Sequence, residues 1–197
     1  MLSRRLFGKR AEAMLADGIA QIERTLTDNL GGTAKVTVEG DPLQVLLALR
    51  DEVLPAGHVE VERATLRNGL SVRHGQLTTA GGDDSGHLVL RVTPRAISSQ
   101  LNIPGLRVDI ARGRLRLVLG MASVTVKVRV VEGRVVLSIP VAPPPLGSIL
   151  GAGLTELVPH PPEGIELHDV EVDERELVIR AVVDMHRLVA LATELSR

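Results

Sequence analysis

Val124-Thr125-Val126-Lys127-Val128-Arg129-Val130 is the stretch that decides the fold. Valine alternates with Thr, Lys and Arg, so an extended chain here has one apolar face and one polar face. Helical spacing does not fit this order. A strand with one dry side and one wet side belongs to an antiparallel sheet covered on a single face. The neighbouring segments continue the pattern. Leu106–Ala111, Arg114–Gly120, Ala122–Val131 and Arg134–Val141 read as four strands in quick succession. Their connections, Arg112-Gly113, Gly120-Met121 and Glu132-Gly133, suit tight hairpin turns.

Upstream, the apolar residues from Arg5 to Leu30 recur at helical spacing. Ala11, Leu15, Ile19, Ile22, Leu26 and Leu30 form a stripe with Met14 at its flank, and Gly31-Gly32 stops the helix. A short strand, Ala34 to Glu39, follows. Asp41 then caps a second helix whose first turn carries Pro42 and whose apolar face is Leu43, Leu46, Leu47, Val53 and Leu54. Val59–Ala64, Leu70–Leu77 and Leu88–Val92 read as strands, separated by the polar loop Thr79–Gly86. Pro94 opens a short helix through Ile97 and Leu101.

Downstream, Ala142-Pro143-Pro144-Pro145 interrupts the sheet. A third apolar helix is expected there, burying Leu146, Ile149, Leu150, Leu154, Leu157 and Val158. Ile165–Asp173 and Glu176–Val183 form a last hairpin, and a helix begins at Asp184. The expectation is a single α+β domain over residues 1–197: a long, twisted, mainly antiparallel sheet wrapped on amphipathic helices, of which residues 1–30 form the first. Short links and the lack of regular crossover helices exclude a doubly wound fold.

Composition narrows the function. At 44% hydrophobic, the chain of 197 residues can bury a sizeable core. Phe7 is its single aromatic, so that core is aliphatic. A net charge of −1 and the lack of stacking aromatics argue against nucleic acid as a partner. The absence of Cys excludes disulfides, thiolate metal sites and Cys nucleophiles. Met1–Arg10 is basic but is not followed by the apolar run of a secretory signal, and no segment approaches the ~18 continuous apolar residues of a membrane span. The expected location is therefore cytoplasmic, or peripheral on the inner membrane face.

Motifs that carry chemistry are weak. Gly69-Leu70-Ser71-Val72-Arg73 lacks the second glycine of a nucleophile elbow. The Gly-rich run Gly81–Gly86 has two Asp and no Lys, which makes it a poor phosphate cradle. His160, Glu163, Glu166 and His168 match no zinc spacing, and His168-Asp169 lacks the supporting histidines of a metal phosphohydrolase. Asp169, Glu171 and Asp173 share one strand face and read first as a solvated edge that resists aggregation. Arg107, Arg112, Arg114 and Arg116 lie close together around one hairpin. They read either as the wet face of a sheet or as a row able to meet a lipid phosphate or an acidic partner. No catalytic residue, metal site or cofactor is expected.

The order of segments resembles the LmeA-type phospholipid-binding family of bacterial envelope proteins. The likeness rests on the N-terminal helix and on Val36-Thr37-Val38-Glu39-Gly40-Asp41-Pro42-Leu43-Gln44-Val45-Leu46-Leu47. It also rests on the meander, on the Thr93-Pro94 helix ending in Leu101-Asn102, and on Pro161-Pro162-Glu163-Gly164-Ile165-Glu166-Leu167 before the last hairpin. Together these run from about Ala11 to Val183. The resemblance implies a tubular-lipid-binding-like fold that holds acyl chains in an aliphatic groove, with phospholipid or glycolipid as partner at the cell envelope. The missing secretory signal departs from many relatives.

Two apolar walls are candidates for such a groove. One is Leu43, Leu46 and Leu47; the other is Leu146, Ile149, Leu150 and Leu154. An apolar helical stripe is core by default, so plain packing is the competing reading for both. Arg4, Arg5, Leu6, Phe7, Lys9 and Arg10 are candidates for membrane contact, mixing cations with two insertable side chains. The reading is thus non-enzymatic binding of an acyl-chain lipid. The alternative is a structural or interaction module whose apolar faces serve the core or a homodimer.

Overall fold

The computed structural model describes residues 2–51, 53, 55–66, 68–82, 84–139, 154–158, 161 and 163–187, and the backbone alone for residues 2–8, 154 and 155. The fold is α+β with antiparallel sheets. In chain order the described elements are α1 (Leu2–Leu30), β1 (Thr33–Val38), α2 (Pro42–Arg50), β2 (Gly57–Thr65), β3 (Ser71–Thr79), β4 (Ser85–Val92), α3 (Pro94–Leu101), β5 (Leu106–Ala111), β6 (Arg114–Leu119), β7 (Ala122–Val131), β8 (Arg134–Ser138), β9 (Leu154–Val158), β10 (Ile165–Val172) and β11 (Leu177–Asp184).

The strands divide into two sheets where the sequence suggested a single long one. Their orders are β1-β2-β3-β4-β11-β10 and β5-β6-β7-β8-β9. The division follows from the last hairpin. β11 returns to pair with β4 from Leu177↔Val92 to Asp184↔Ser85, so the free edge of β4 is closed and the meander from β5 onward builds its own sheet. Both sheets and α3 enclose one aliphatic core. Leu70, Ile97, Leu115, Leu117, Leu137, Leu157, Leu177 and Ile179 are its largest fully buried side chains.

β7 meets its expectation: Val124 and Val126 are buried, while Ser123, Thr125, Lys127 and Arg129 face outward and are exposed. The β5–β6 and β7–β8 turns also behave as read. Arg112 and Gly113 have φ of 55° and 67°, and Glu132 and Gly133 have 49° and 70°. Positive φ at both central residues is the signature of the type I′ hairpin turn.

The expected third helix is corrected over its second half. Leu154-Thr155-Glu156-Leu157-Val158 is strand β9, paired with β8 from Ser138↔Leu154 to Val135↔Val158. A short run of Leu and Val around Thr155 and Glu156 satisfies either element locally, and the open edge of β8 selects the strand. Leu146, Ile149 and Leu150 lie outside the described residues. The closing helix begins as expected at Met185–Arg187, where the Asp184 carboxylate accepts from the Arg187 amide at 3.2 Å.

α1 covers the outer edge of the first sheet. Edge strands expose unpaired N–H groups, which invite pairing with another chain. Here the Ala34 amide donates to Thr27 Oγ1 at 3.2 Å and the Val36 amide to Glu23 Oε1 at 2.8 Å. Thr27 and Glu23 are one helical turn apart, so a single face of α1 seals the edge. Between them the chain turns at Gly32, where an added Cβ would lie 2.2 Å from the Glu62 carbonyl oxygen.

Two stability outcomes follow from this edge. Gly32→Ala must displace backbone, and urea denaturation should show a loss of about 1–3 kcal/mol. Glu23→Ala leaves the Val36 amide without its acceptor, with an expected loss of about 1–3 kcal/mol. Unchanged midpoints for both would mean that α1 does not hold the sheet edge.

Candidate functional site

α2 is built by its N-terminus. Gly40 adopts φ +115°, a conformation that other residues rarely reach. Asp41 Oδ1 then accepts from the amides of Leu43 at 3.0 Å and Gln44 at 3.3 Å, and Pro42 occupies the first turn. The nine residues that follow, Pro42-Leu43-Gln44-Val45-Leu46-Leu47-Ala48-Leu49-Arg50, contain two polar side chains, Gln44 and Arg50.

A short helix that is apolar nearly all round is ordinarily buried. This one is not. Val45 alone is buried, Leu46 and Ala48 are half-buried, and α2 packs against α1 outside the central core. Leu43 and Leu47, one turn apart on the face opposite Val45, are 47% and 42% exposed. Leu49 is exposed one turn beyond Val45, Val53 is exposed past the end of α2, and α1 adds Met14 and Ile22. Apart from Met121 in a hairpin turn, these are the exposed large apolar side chains among the described residues.

α1 is longer than the strand it covers and leaves part of its stripe open. Its 29 residues span about 43 Å. β1, with six residues, spans about 20 Å. Ala11 is buried, and Leu15, Ile19, Leu26 and Leu30 are half-buried, but Ile22 stays exposed.

The first expected wall, Leu43, Leu46 and Leu47, therefore stands on one surface helix. Of the second wall, Leu154 stands on β9 in the other sheet, opposite Ser138. Arg4, Arg5, Leu6 and Phe7 lie on the first turns of α1, followed by Lys9 and Arg10, whose side chains are exposed. No helix among the described residues is long and apolar enough to cross a membrane.

Two carboxylates of β10, Asp169 and Glu171, are engaged with arginine. Arg180 of β11 donates to Asp169 Oδ2 at 2.8 Å and to Glu171 Oε2 at 3.0 Å. These hydrogen bonds, Glu171 first and Asp169 second, raise the Arg180 pKa above its ordinary value. Asp173 lies 3.6 Å from Arg91, and Glu176 lies 2.8 Å from Arg73. His168 is the extra residue of a β-bulge and is exposed. Glu163 pairs with Arg187, Glu166 is exposed, and His160 lies outside the described residues. Among the described residues no three His, Asp or Glu side chains are placed to hold a metal ion.

Among the described residues, two surface clefts stand out. One, of about 480 Å³, lies where Asp84, Ser85, Gly164, Glu166, Asp184 and Arg187 meet. The other, of about 690 Å³, is lined by Ala111, Arg112, Arg114, Arg116 and Thr125. It gathers three of the four arginines singled out in the sequence; Arg107 stands on β5, on the same outward face. What the sequence did not disclose is which side of α2 is wet, because a helix without a polar face gives no such signal. No family model matches this chain, and neither a curated protein nor a solved structure does.

The integrity of the apolar face rests on its cap. Asp41→Ala should cost about 1 kcal/mol. Hydrogen exchange should read this as faster exchange at Leu43–Leu46 with β5–β8 unaffected. Unaltered protection of α2 would show that its contacts with α1 hold it without the cap.

Proposed function

We propose that this protein is a non-enzymatic lipid-binding module that engages acyl-chain lipid at a membrane surface through α2 and its neighbour α1. One observation carries the reading: α2 presents Leu43, Leu47 and Leu49 to solvent although almost nothing in its sequence favours water. Exposed apolar surface gathered on one part of a fold marks a place of interaction. A hydrocarbon partner needs no polar code, and each CH₂ it removes from water contributes about 0.8 kcal/mol.

The basic start of α1 supports the same reading. Lys9 and Arg10 are exposed on the helix that flanks α2, and Arg4 and Arg5 precede them. Near an anionic bilayer each such cation contributes about 1 kcal/mol. The resemblance to the LmeA-type family, with its phospholipid or glycolipid partners at the bacterial envelope, points the same way. Under this reading the α2 face is an open contact surface and accepts a range of acyl chains.

Vesicle sedimentation tests the proposal. Leu43→Asp combined with Leu47→Asp should leave folding within about 0.5 kcal/mol, since both side chains are exposed. Partitioning onto phospholipid vesicles should fall at least about tenfold, because two charges would enter the apolar contact. Deleting residues 1–10 should weaken binding to anionic vesicles more than to neutral ones. Wild-type partitioning by the Leu43/Leu47 double variant would end the lipid reading. So would a wild-type dimer that the same substitutions dissociate while vesicles are ignored; that result belongs to the interaction-module alternative.

A further inference from the structure

The outward face of β5, β6 and the first half of β7 carries a local excess of positive charge that the net charge of −1 conceals. Arg107 projects from β5, Arg114 and Arg116 from β6, Lys127 from β7, and Arg112 from the β5–β6 turn. Asp109, across from Arg116 in the strand register, is the carboxylate of this face. No carboxylate among the described residues comes within 4.0 Å of any of these five cations.

Several arginines elsewhere in the molecule are paired with carboxylates. On the first sheet Arg73 and Arg91 meet Glu176, and Arg180 meets Asp169 and Glu171. On the second sheet Arg134 bridges Glu132 and Glu156. Beyond the sheets, Arg50 pairs with Asp51, and Arg187 with Glu163 and Asp184. Lys35 and Arg63 on the first sheet and Arg129 on the second also stand without a carboxylate within 4.0 Å among the described residues, but the cleft beside the Arg112–Gly113 turn gathers three such cations in one place.

Its geometry suits a compact anion. Arg114 and Arg116 are alternate residues of β6, so they point to one side about 7 Å apart, and Arg112 joins the cleft from the turn. Arg116 is half-buried and fixed: one of its terminal nitrogens donates to Ser123 Oγ at 2.7 Å, which turns the guanidinium toward β7 and away from Asp109. Thr125 adds a hydroxyl to the lining. The turn abuts Val172 at the end of β10, and the next carboxylate there, Asp173, faces Arg91. Guanidinium forks with a hydroxyl donor match the oxygens of a phosphate, and each fork can bond it twice.

We infer that this cleft is a phosphate-binding site, with Arg112, Arg114, Arg116 and Thr125 as its donors. A lipid headgroup and a free phosphate ester offer the same chemistry. The inference rests on the lipid reading only for the headgroup as source; the phosphate site itself stands independently of it. Single-stranded nucleic acid is a poorer fit, because the sequence around the cleft supplies no aromatic residue to stack a base and the chain has one in all, Phe7.

The test uses the full chain. Calorimetry with glycerol 3-phosphate measures the site without any acyl chain. Sedimentation compares vesicles of phosphatidylcholine with vesicles in which a fifth of the lipid is phosphatidic acid. Arg114→Gln combined with Arg116→Gln should weaken both glycerol 3-phosphate and phosphatidic acid binding by about tenfold or more. Phosphatidylcholine binding should stay as it was. Arg73→Gln, the loss of one charge outside the cleft, should change phosphate binding less than about twofold. Arg114→Lys combined with Arg116→Lys should recover only part of the loss, since charge remains without the fork. The Leu43/Leu47 double variant should keep glycerol 3-phosphate binding, which separates the two proposals. Glycerol 3-phosphate binding without preference for phosphatidic acid would support the site and assign its ligand to free phosphate esters. Equal losses for Arg73→Gln and the Arg114/Arg116 variant would overturn it, as would unaltered binding by the latter. Binding to duplex DNA with none to either phosphate probe would overturn it too.

Discussion

The antiparallel pairing of β11 with β4 holds the architecture together. It joins residues 85–92 to residues 177–184 across about half the chain, and β11 is hydrogen-bonded on both sides, by β4 and by β10. Leu177, Ile179, Ala181 and Val183 line its buried side. Leu177, Ile179 and Ala181 belong to the core shared with Leu115, Leu117 and Leu137 of the other sheet. Such a pairing carries a large loop-closure entropy, so it must be repaid by burial rather than by local propensity. Aliphatic side chains alone supply that burial, and interdigitation takes the place that aromatic plates hold in many cores.

Because both sheets turn their apolar faces to this common core, their opposite faces are left to water and to partners. α3 joins the core through Ala96 and Ile97, whereas α2 contributes nothing to it. α2 is held instead by the Asp41 cap, by Val45 and by α1. An element anchored at so few points can carry exposed leucines without endangering the fold. The same holds for the arginine cleft, which is built on hairpins whose inward residues, Leu115, Leu117, Val124 and Val126, are buried. Rigid strands present it, and loss of an outward arginine leaves the buried side intact.

Much of this was legible in the sequence wherever the information is local. Alternation gave β7 and its neighbours, glycine placed the turns, and Asp41-Pro42 marked the start of α2. Three features were not. Leu154–Val158 carries an apolar pattern that either element accepts, and the edge of β8 decided it. The split into two sheets depends on which distant strand closes β4, and no local pattern encodes that. The charge balance of a sheet face is likewise set across strands. Arg180 and Arg114 look alike in sequence, yet one faces Asp169 and Glu171 and the other faces no carboxylate among the described residues.

The two proposed surfaces obey different physics, and this bears on selectivity. Apolar contact at α2 scales with the area removed from water and scarcely distinguishes one hydrocarbon from another. A guanidinium cleft discriminates by geometry and charge, since a donor fork left unmatched gains nothing. A lipid engaged at both would be chosen by its headgroup and retained by its chains. Salt separates the contributions: screening over about 8 Å at physiological ionic strength weakens the exposed arginines and leaves apolar burial nearly untouched. A binding isotherm whose headgroup preference fades with salt while its affinity for neutral lipid persists is the behaviour that this division of labour requires.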